Sequence, residues 1–284
     1  MIKRIQLEEL GILDEIVRIC NKHNLTYFLI GGTLLGAVRH GGFIPWDDDL
    51  DIAMPRHDYN AFIRLCKSEL NQAYLLQDQH SEENYWAPFI KIRKKHTIYQ
   101  EDLPFSVQEM GFWVDIFPLD NSRGRTHLIE KTKRKILVYL SYTIKYKEFN
   151  KKDSKLLPNG ILGKTAIIIT RFVLKKIFCL KDTAILDIYA SIAQSQINHP
   201  PYLVNHGSKY GVVKQTIPTN KYFPASELMF CGKIYSVPRD YHGVLTSIYG
   251  EKYMQLPPEE KRVTHNPVRL SFDTSGPDEV LEDI

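Results

Sequence analysis

Between Gly31 and Tyr59 the chain reads GGTLLGAVRHGGFIPWDDDLDIAMPRHDY, which places four carboxylates (Asp47, Asp48, Asp49 and Asp51) in five positions against an apolar run. In a strand from Leu50 to Met54, side chains alternate between faces. Asp49 and Asp51 then point one way while Leu50 and Ile52 enter the core. Two carboxylates side by side raise each other's pKa unless a cation stands between them. A hard divalent ion answers that demand, and Mg²⁺, or Mn²⁺ in its place, takes one or two carboxylates together with substrate phosphate oxygens.

Other readings of the cluster separate on spacing. A calcium loop starting at Asp47 needs Gly at its sixth position and Glu at its twelfth, where Ile52 and Asp58 stand. A solvated acidic loop leaves the placement of Asp51 inside an apolar strand unexplained, because buried unpaired charge is costly. The Asp-x-Asp of a nucleotide-sugar glycosyltransferase binds metal and diphosphate by the same chemistry and stays open on the pair alone. Upstream, Gly31-Gly32 ends an expected strand (Thr26 to Ile30), and Thr33 is placed to cap a short helix. Glycines there let backbone N–H groups approach an anion at a helix start. Strand, Gly-Gly-Thr, short helix, then a strand with Asp-x-Asp is the layout of the nucleotidyltransferase fold.

The elements that must hold this site are legible in outline. Apolar spacing predicts a helix over residues 4–23, and Pro55 is placed at the first position of a helix running to Leu70. Further strands are expected at Tyr74 to Gln77, Trp86 to Arg93, Thr97 to Glu101 and Phe112 to Phe117. Helices are expected at Leu128 to Phe149, Ile161 to Leu180 and Thr183 to Ile197. A short ordered stretch (YLVNHG), a hairpin from Lys221 to Val237, a helix from Pro238 to Tyr249 and a Pro-rich tail follow. The fold class is α+β: a nucleotidyltransferase-like mixed sheet flanked by helices, with a basic helical insert. Residues 1–122 form the catalytic core, 123–198 the insert, and 199–284 complete the catalytic part.

Composition is that of an ordinary globular protein: 284 residues, 43% apolar and 25% charged. The net charge of +4 is unevenly spread. Arg123 to Lys181 holds sixteen Lys and Arg against three acids, hence +13, which leaves −9 for the rest. Within it TAIIITRFVLKKIFCL is too short and too charged to span a bilayer. It suits either a peripheral helix on anionic lipid or a core helix with a basic outer face. Aromatic residues are not interleaved with this charge as a base-stacking platform requires, so no nucleic-acid partner is expected. The first twenty residues carry acids too early for an export leader, so the expected location is the cytoplasm, peripheral to the inner face of the membrane. Four singly placed cysteines, Cys20, Cys66, Cys179 and Cys231, are expected to be buried thiols.

The run GGTLLGAVRHGGFIPWDDDLDIAMPRHDY, the later FWVDIFPLD (Phe112 to Asp120) and the terminal YGEKYMQLPPEEKRVTHNP together resemble the LicD family of phosphocholine and phospho-alcohol transferases, with a more distant likeness to fukutin-related protein. That resemblance implies metal-dependent transfer of a phospho-alcohol, phosphocholine foremost, from a CDP-alcohol donor. The acceptor is a hydroxyl of a cell-surface glycan (teichoic acid, lipopolysaccharide or capsule) or its lipid-linked precursor, and CMP is released. The family's metal carboxylates carry over onto Asp49 and Asp51, and Asp115 is the candidate third acid and proton acceptor. Arg39, His40, Lys91 and Arg93 are the cationic candidates for the diphosphate, beside Gly31, Gly32 and Thr33. Lys261, Arg262 and His265 fall in the matching tail and are assigned to donor or acceptor. Trp46 is expected to pack beneath the acidic loop. An NTP-dependent nucleotidyltransferase and a nucleotide-sugar glycosyltransferase remain the alternatives.

Overall fold

A computed structural model describes residues 1–82, 85–101, 111–145, 161–265 and 267–273. The first helix, α1 (Ile2–His23), ends at Asn24 in the left-handed conformation, a position Asn tolerates as a helix stop. The short β1 (Phe28–Leu29) leads into α2 (Gly31–His40), then come β2 (Asp51–Pro55) and α3 (Arg56–Glu69). After these follow β3 (Tyr74–Gln77), β4 (Ile90–Lys94), β5 (Ile98–Gln100) and the long β6 (Trp113–Ser122).

The principal sheet runs β1-β2-β6-β4-β3 and is mixed: β2 and β6 are parallel, the other pairs antiparallel. One face is core. Leu50, Ile52, Met54, Ile90, Ile92, Val114 and Ile116 are buried there, and α1 and α3 contact these strands. The alternate positions, Asp51, Lys91, Trp113, Asp115 and Phe117, point to the opposite face, as strand geometry requires. That second face is the floor of the candidate site.

Past its parallel partner β6 continues to Ser122, five residues beyond the expected Phe117, because β7 (Tyr202–Val204) pairs with Asp120 to Ser122 and β8 (Thr216–Pro218) pairs with β7. The chain between is helical: α4 (Leu128–Lys145), α5 (Ile161–Phe172) with a π-helical turn at Val173–Ile177, and α6 (Asp182–Ala193). The last expected residues of the first of these helices, 146–149, lie outside the described residues. The hairpin β9 (Ser226–Phe230) and β10 (Lys233–Val237) covers β1 and α2, and α7 (Tyr241–Tyr249) packs on α2. Finally β11 (Arg269–Ser271) returns to pair with β5.

Several local expectations need correction. Thr33 does not cap α2: the helix begins two residues earlier, with Ile30 as its cap residue. Its buried hydroxyl instead accepts the Asp51 backbone N–H at 2.8 Å. Pro55 ends β2 and precedes the first helical residue of α3, Arg56. Cys20 and Cys66 are buried, whereas Cys179 and Cys231 are exposed, because both occupy left-handed turns between elements. Among the described residues no helix is long and apolar enough to cross a membrane.

Candidate active site

The site is built where β1 hands over to α2. Ile30 donates its N–H to the Asp51 carbonyl, and Thr33 receives the N–H of the same residue, so both sides of Asp51 are tied to the α2 entry. Gly31 has φ +57°, and a Cβ on it would lie 3.0 Å from Asp51 Oδ2. On Gly32 a Cβ would lie 2.6 Å from Asp47 Oδ2. The glycine pair therefore clears space for two carboxylates at the start of a helix, where the dipole favours negative charge.

Across the sheet, Asp51 of β2, Asp115 of β6 and Lys91 of β4 share one row of the register. Lys91 Nζ donates to Asp115 Oδ1 at 2.7 Å while lying 4.5 Å over the Trp113 ring. Burial, then Asp49 and then Asp115, push the Asp51 carboxyl well above its ordinary pKa. Burial also raises Asp115, with Asp49 adding to it against the opposing pull of Lys91. Asp47 is pushed up to about 8 by burial and then by Asp49. This excess of negative charge is what a bound cation relieves.

Asp48 plays another part. It accepts from the Tyr99 hydroxyl, from His265 N–H at 3.0 Å and from the His265 ring at 2.9 Å. Burial alone would raise its pKa, but these hydrogen bonds hold it below the usual carboxylate range. The hydrogen bond to Asp48 lifts His265 to about 9, against the cost of its burial. Its other ring nitrogen stands 3.7 Å from Asp49, and Lys209 Nζ stands 4.0 Å from the same carboxylate. The C-terminal tail is thereby fastened to the acidic loop.

Two clefts meet at these carboxylates. The larger, about 690 Å³, is lined by Asp49, Asp51, Asp115, Lys91, Lys209 and His265 at one end, and by aromatic residues, α4 and Asn205 to Val212 elsewhere. The smaller, about 390 Å³, is lined by Gly32, Arg39, Asp47, Asp49, Asp51 and Lys209, and by the tail residues Lys252 and Lys261. Asp49, Asp51, Lys209 and Tyr210 belong to both.

The other sequence candidates divide. Arg39 reaches the smaller cleft but donates to the Tyr253 and Gln255 carbonyls, at 3.2 and 3.3 Å. His40 is exposed, edge-on to Trp46, and lines neither cleft. Arg262 also lines neither; it stacks 4.9 Å over Trp46 and donates to the Pro257 carbonyl. Arg93, paired with Lys91 in the sequence reading, is 3% exposed and donates to Gln77 and to the Gly111 carbonyl. It lies one register row further from Asp51, opposite Trp113, and lines neither cleft.

Three contributors were missed. Lys209 and the loop before it carry no motif and reach the carboxylates only through the β7–β8 addition to β6. Arg134 of α4 joins the cleft wall from a segment singled out for its charge alone. Glu9 of α1 is 1% exposed, and burial followed by Asp49 and Asp48 pushes its carboxyl well up. A Glu on the buried stripe of an amphipathic helix is the one signal that could have marked it.

Among the described residues no three His, Cys, Asp or Glu side chains form a preformed metal cage. Mg²⁺ is ordinarily held by one or two carboxylates with waters and substrate phosphates rather than by a closed protein cage. Asp49 and Asp51, crowded by Asp47 and Asp115, fit that mode.

Residues 24–148 match the LicD/FKTN/FKRP nucleotidyltransferase domain. That stretch is similar to a LicD-type domain. The chain is 28% identical over 268 residues to the lipopolysaccharide cholinephosphotransferase LicD of Haemophilus influenzae, covering 92% of this chain and 94% of that protein. A shorter likeness, 44% over 43 residues, joins it to the human ribitol 5-phosphate transferase FKRP, covering 15% of this chain and 9% of that protein. These LicD relatives are phosphotransferases by name. The domain match holds β1 to β6 and all of α4, while the larger cleft is completed by residues that follow it.

Proposed function

We propose that this LicD-type protein transfers a phospho-alcohol from a CDP-alcohol to a hydroxyl of a cell-surface glycan or its lipid-linked precursor, with release of CMP. The observation that carries the reading is that Asp49 and Asp51 stand on the wall shared by two clefts. Donor and acceptor can then approach one phosphorus from opposite sides, as in-line displacement requires. A nucleotidyltransferase-like arrangement of β1, α2 and β2 supports the same reading.

Bound to Asp49 and Asp51, Mg²⁺ would neutralise charge on the attacked phosphate and on the departing CMP. The protein's own residues do the rest. The acceptor oxygen bonds to phosphorus, the bond from phosphorus to the CMP oxygen breaks, and Asp115, its pKa raised by burial, takes the hydroxyl proton. Lys91 holds that carboxylate in place. Lys209 and His265 add positive charge beside Asp49 where the diphosphate lies, and Arg39 and Lys252 do so in the smaller cleft. The Haemophilus influenzae relative is a cholinephosphotransferase by name, so CDP-choline is the first donor to test.

The test is a donor screen with purified protein, following CMP release from CDP-choline, CDP-ribitol and CDP-glycerol with Mg²⁺ and with EDTA. Turnover of a CDP-alcohol that EDTA abolishes is expected. Pyrophosphate release from an NTP, or turnover of a nucleotide sugar alone, would replace this reading by one of its alternatives.

The insert suits a site at the inner membrane face. Ile168, Ile169, Phe172, Ile177 and Phe178 are exposed beside Arg171 and Lys176, an apolar and basic surface of the kind that settles on anionic lipid. Flotation with anionic vesicles that weakens with salt is expected; equal recovery with neutral vesicles counts against it.

A further inference from the structure

The loop from Asn205 to Ser208 is firmly built. Asn205 Oδ1 accepts the Gly207 N–H at 2.9 Å, the Tyr189 hydroxyl donates to the His206 carbonyl, and Gln215 donates to Ser208 Oγ at 2.8 Å. These contacts leave three side-chain atoms over. Asn205 Nδ2, His206 Nδ1 and His206 Nε2 are shut off from solvent, and none has a hydrogen-bond partner among the described residues. Asn205 is 1% exposed. Both residues line the larger cleft, and three positions after His206 the chain reaches Lys209, beside Asp49.

Buried polar atoms are almost always paired, so their pattern describes the missing partner. A neutral imidazole offers one donor and one acceptor, and an amide NH₂ offers two donors. A phosphate brings acceptors only and leaves one ring nitrogen unpaired. A quaternary ammonium brings neither and seeks aromatic faces instead, yet the Trp113 and Phe89 rings beside the carboxylates are already faced by the Lys91 ammonium, at 4.5 and 5.6 Å. Hydroxyl groups both donate and accept, and neighbouring hydroxyls on one carbon chain can meet all three atoms.

We propose that Asn205 and His206 form a subsite for a hydroxyl-rich ligand, a sugar or polyol, in the larger cleft. Burial depresses His206 to about 4, so the ring stays neutral and keeps its acceptor nitrogen at physiological pH. The assignment rests on the transferase reading only in naming the ligand's source, which is either the alcohol of the donor or the acceptor sugar.

Ligand-observed NMR on the purified chain tests it, with ribitol, galactose, choline and CMP as probes. Binding of ribitol or galactose is expected. His206→Leu should weaken it about ten- to a hundredfold, the equivalent of two hydrogen bonds, and His206→Gln, which keeps a donor and an acceptor, should restore most of it. Asn205→Asp keeps the acceptor for Gly207 but loses the NH₂ donor, and should weaken the same ligands. CMP binding should be the same in all variants, which also shows that they fold. If the polyols do not bind, or bind His206→Leu as well as wild type, the proposal fails. It fails too if CMP is the probe that is lost, since cytosine carries similar donors and acceptors. Displacement of bound galactose by CDP-ribitol but not by CDP-choline assigns the subsite to the donor's alcohol; retention with both assigns it to the acceptor. Because free ligands need no turnover, these results stand even if no CDP-alcohol is a substrate.

Discussion

Asp51 and Asp115 face one another across the parallel β2–β6 pair, with Lys91 next in the same row on β4, its ammonium 2.7 Å from Asp115. One ammonium serves a row of two half-buried carboxylates, with Asp49 close by. The shortfall of positive charge is built into the sheet register, and it has measurable consequences.

Replacing Asp51 with Asn removes a half-buried carboxyl group whose pKa is raised by desolvation and then by Asp49 and Asp115. The variant should melt at or above the wild-type temperature, since the repulsion is gone. Activity should fall about 100-fold or more, the scale on which removal of a preorganised electrostatic group is felt. Thermal melts paired with CMP-release assays read both. An inactive variant that is also strongly destabilised would contradict the charge-crowding account.

Gly31→Ala places a side chain at φ +57° and brings a Cβ to 3.0 Å from Asp51 Oδ2. A stability loss of about 1–2 kcal/mol is expected from the left-handed backbone alone, together with reduced activity as Asp51 is displaced. Urea unfolding and steady-state kinetics check the two effects separately.

Arg93 is a structural residue in this fold. Arg93→Met should cost about 3 kcal/mol, since it strips charged hydrogen bonds from Gln77 and from the buried Gly111 carbonyl. The donor KM of the folded fraction should stay at the wild-type value. A raised KM with unchanged stability would return Arg93 to the diphosphate site.

His206 makes stability depend on pH. Its folded pKa of about 4 lies below that of an unfolded His, about 6.5, because burial disfavours the charged ring. The neutral form therefore contributes stability that is fully present above pH 6.5 and is lost as pH falls toward 4. Relative to His206→Gln, the wild type should lose up to about 3 kcal/mol between pH 8 and 4. Urea midpoints of both proteins across that range measure it; parallel curves would show that the ring is hydrated.

Much of the carboxylate half of the site was visible in the linear order. Asp49 and Asp51 alternate with Leu50 and Ile52, and a two-residue period admits one assignment of faces once one face is apolar. Residue order marks Gly31-Gly32 as an approach for phosphate. The structure adds that the pair leaves room for the Asp51 and Asp47 carboxylates themselves. Its position suggests a helix cap for Thr33, yet its hydroxyl serves Asp51, a contact across eighteen positions that no local rule anticipates.

Lys91 and Arg93 show the limit most plainly. Alternation put them on one face, and that face is shared. Their different surroundings come from register: Lys91 is opposite Asp115, whereas Arg93 is opposite Trp113, with the buried Gly111 carbonyl within reach. Lys209, Asn205 and His206 had no motif to announce them. They arrive because β7 adds to the end of β6, and strand pairing at a sheet edge depends on backbone hydrogen bonds that any residue can make. The α+β class, the acidic strand and the basic insert follow from residue order, because period and charge are local. Tertiary structure alone decided which cations meet which carboxylates and that two clefts share Asp49 and Asp51, because those contacts join segments up to 217 positions apart.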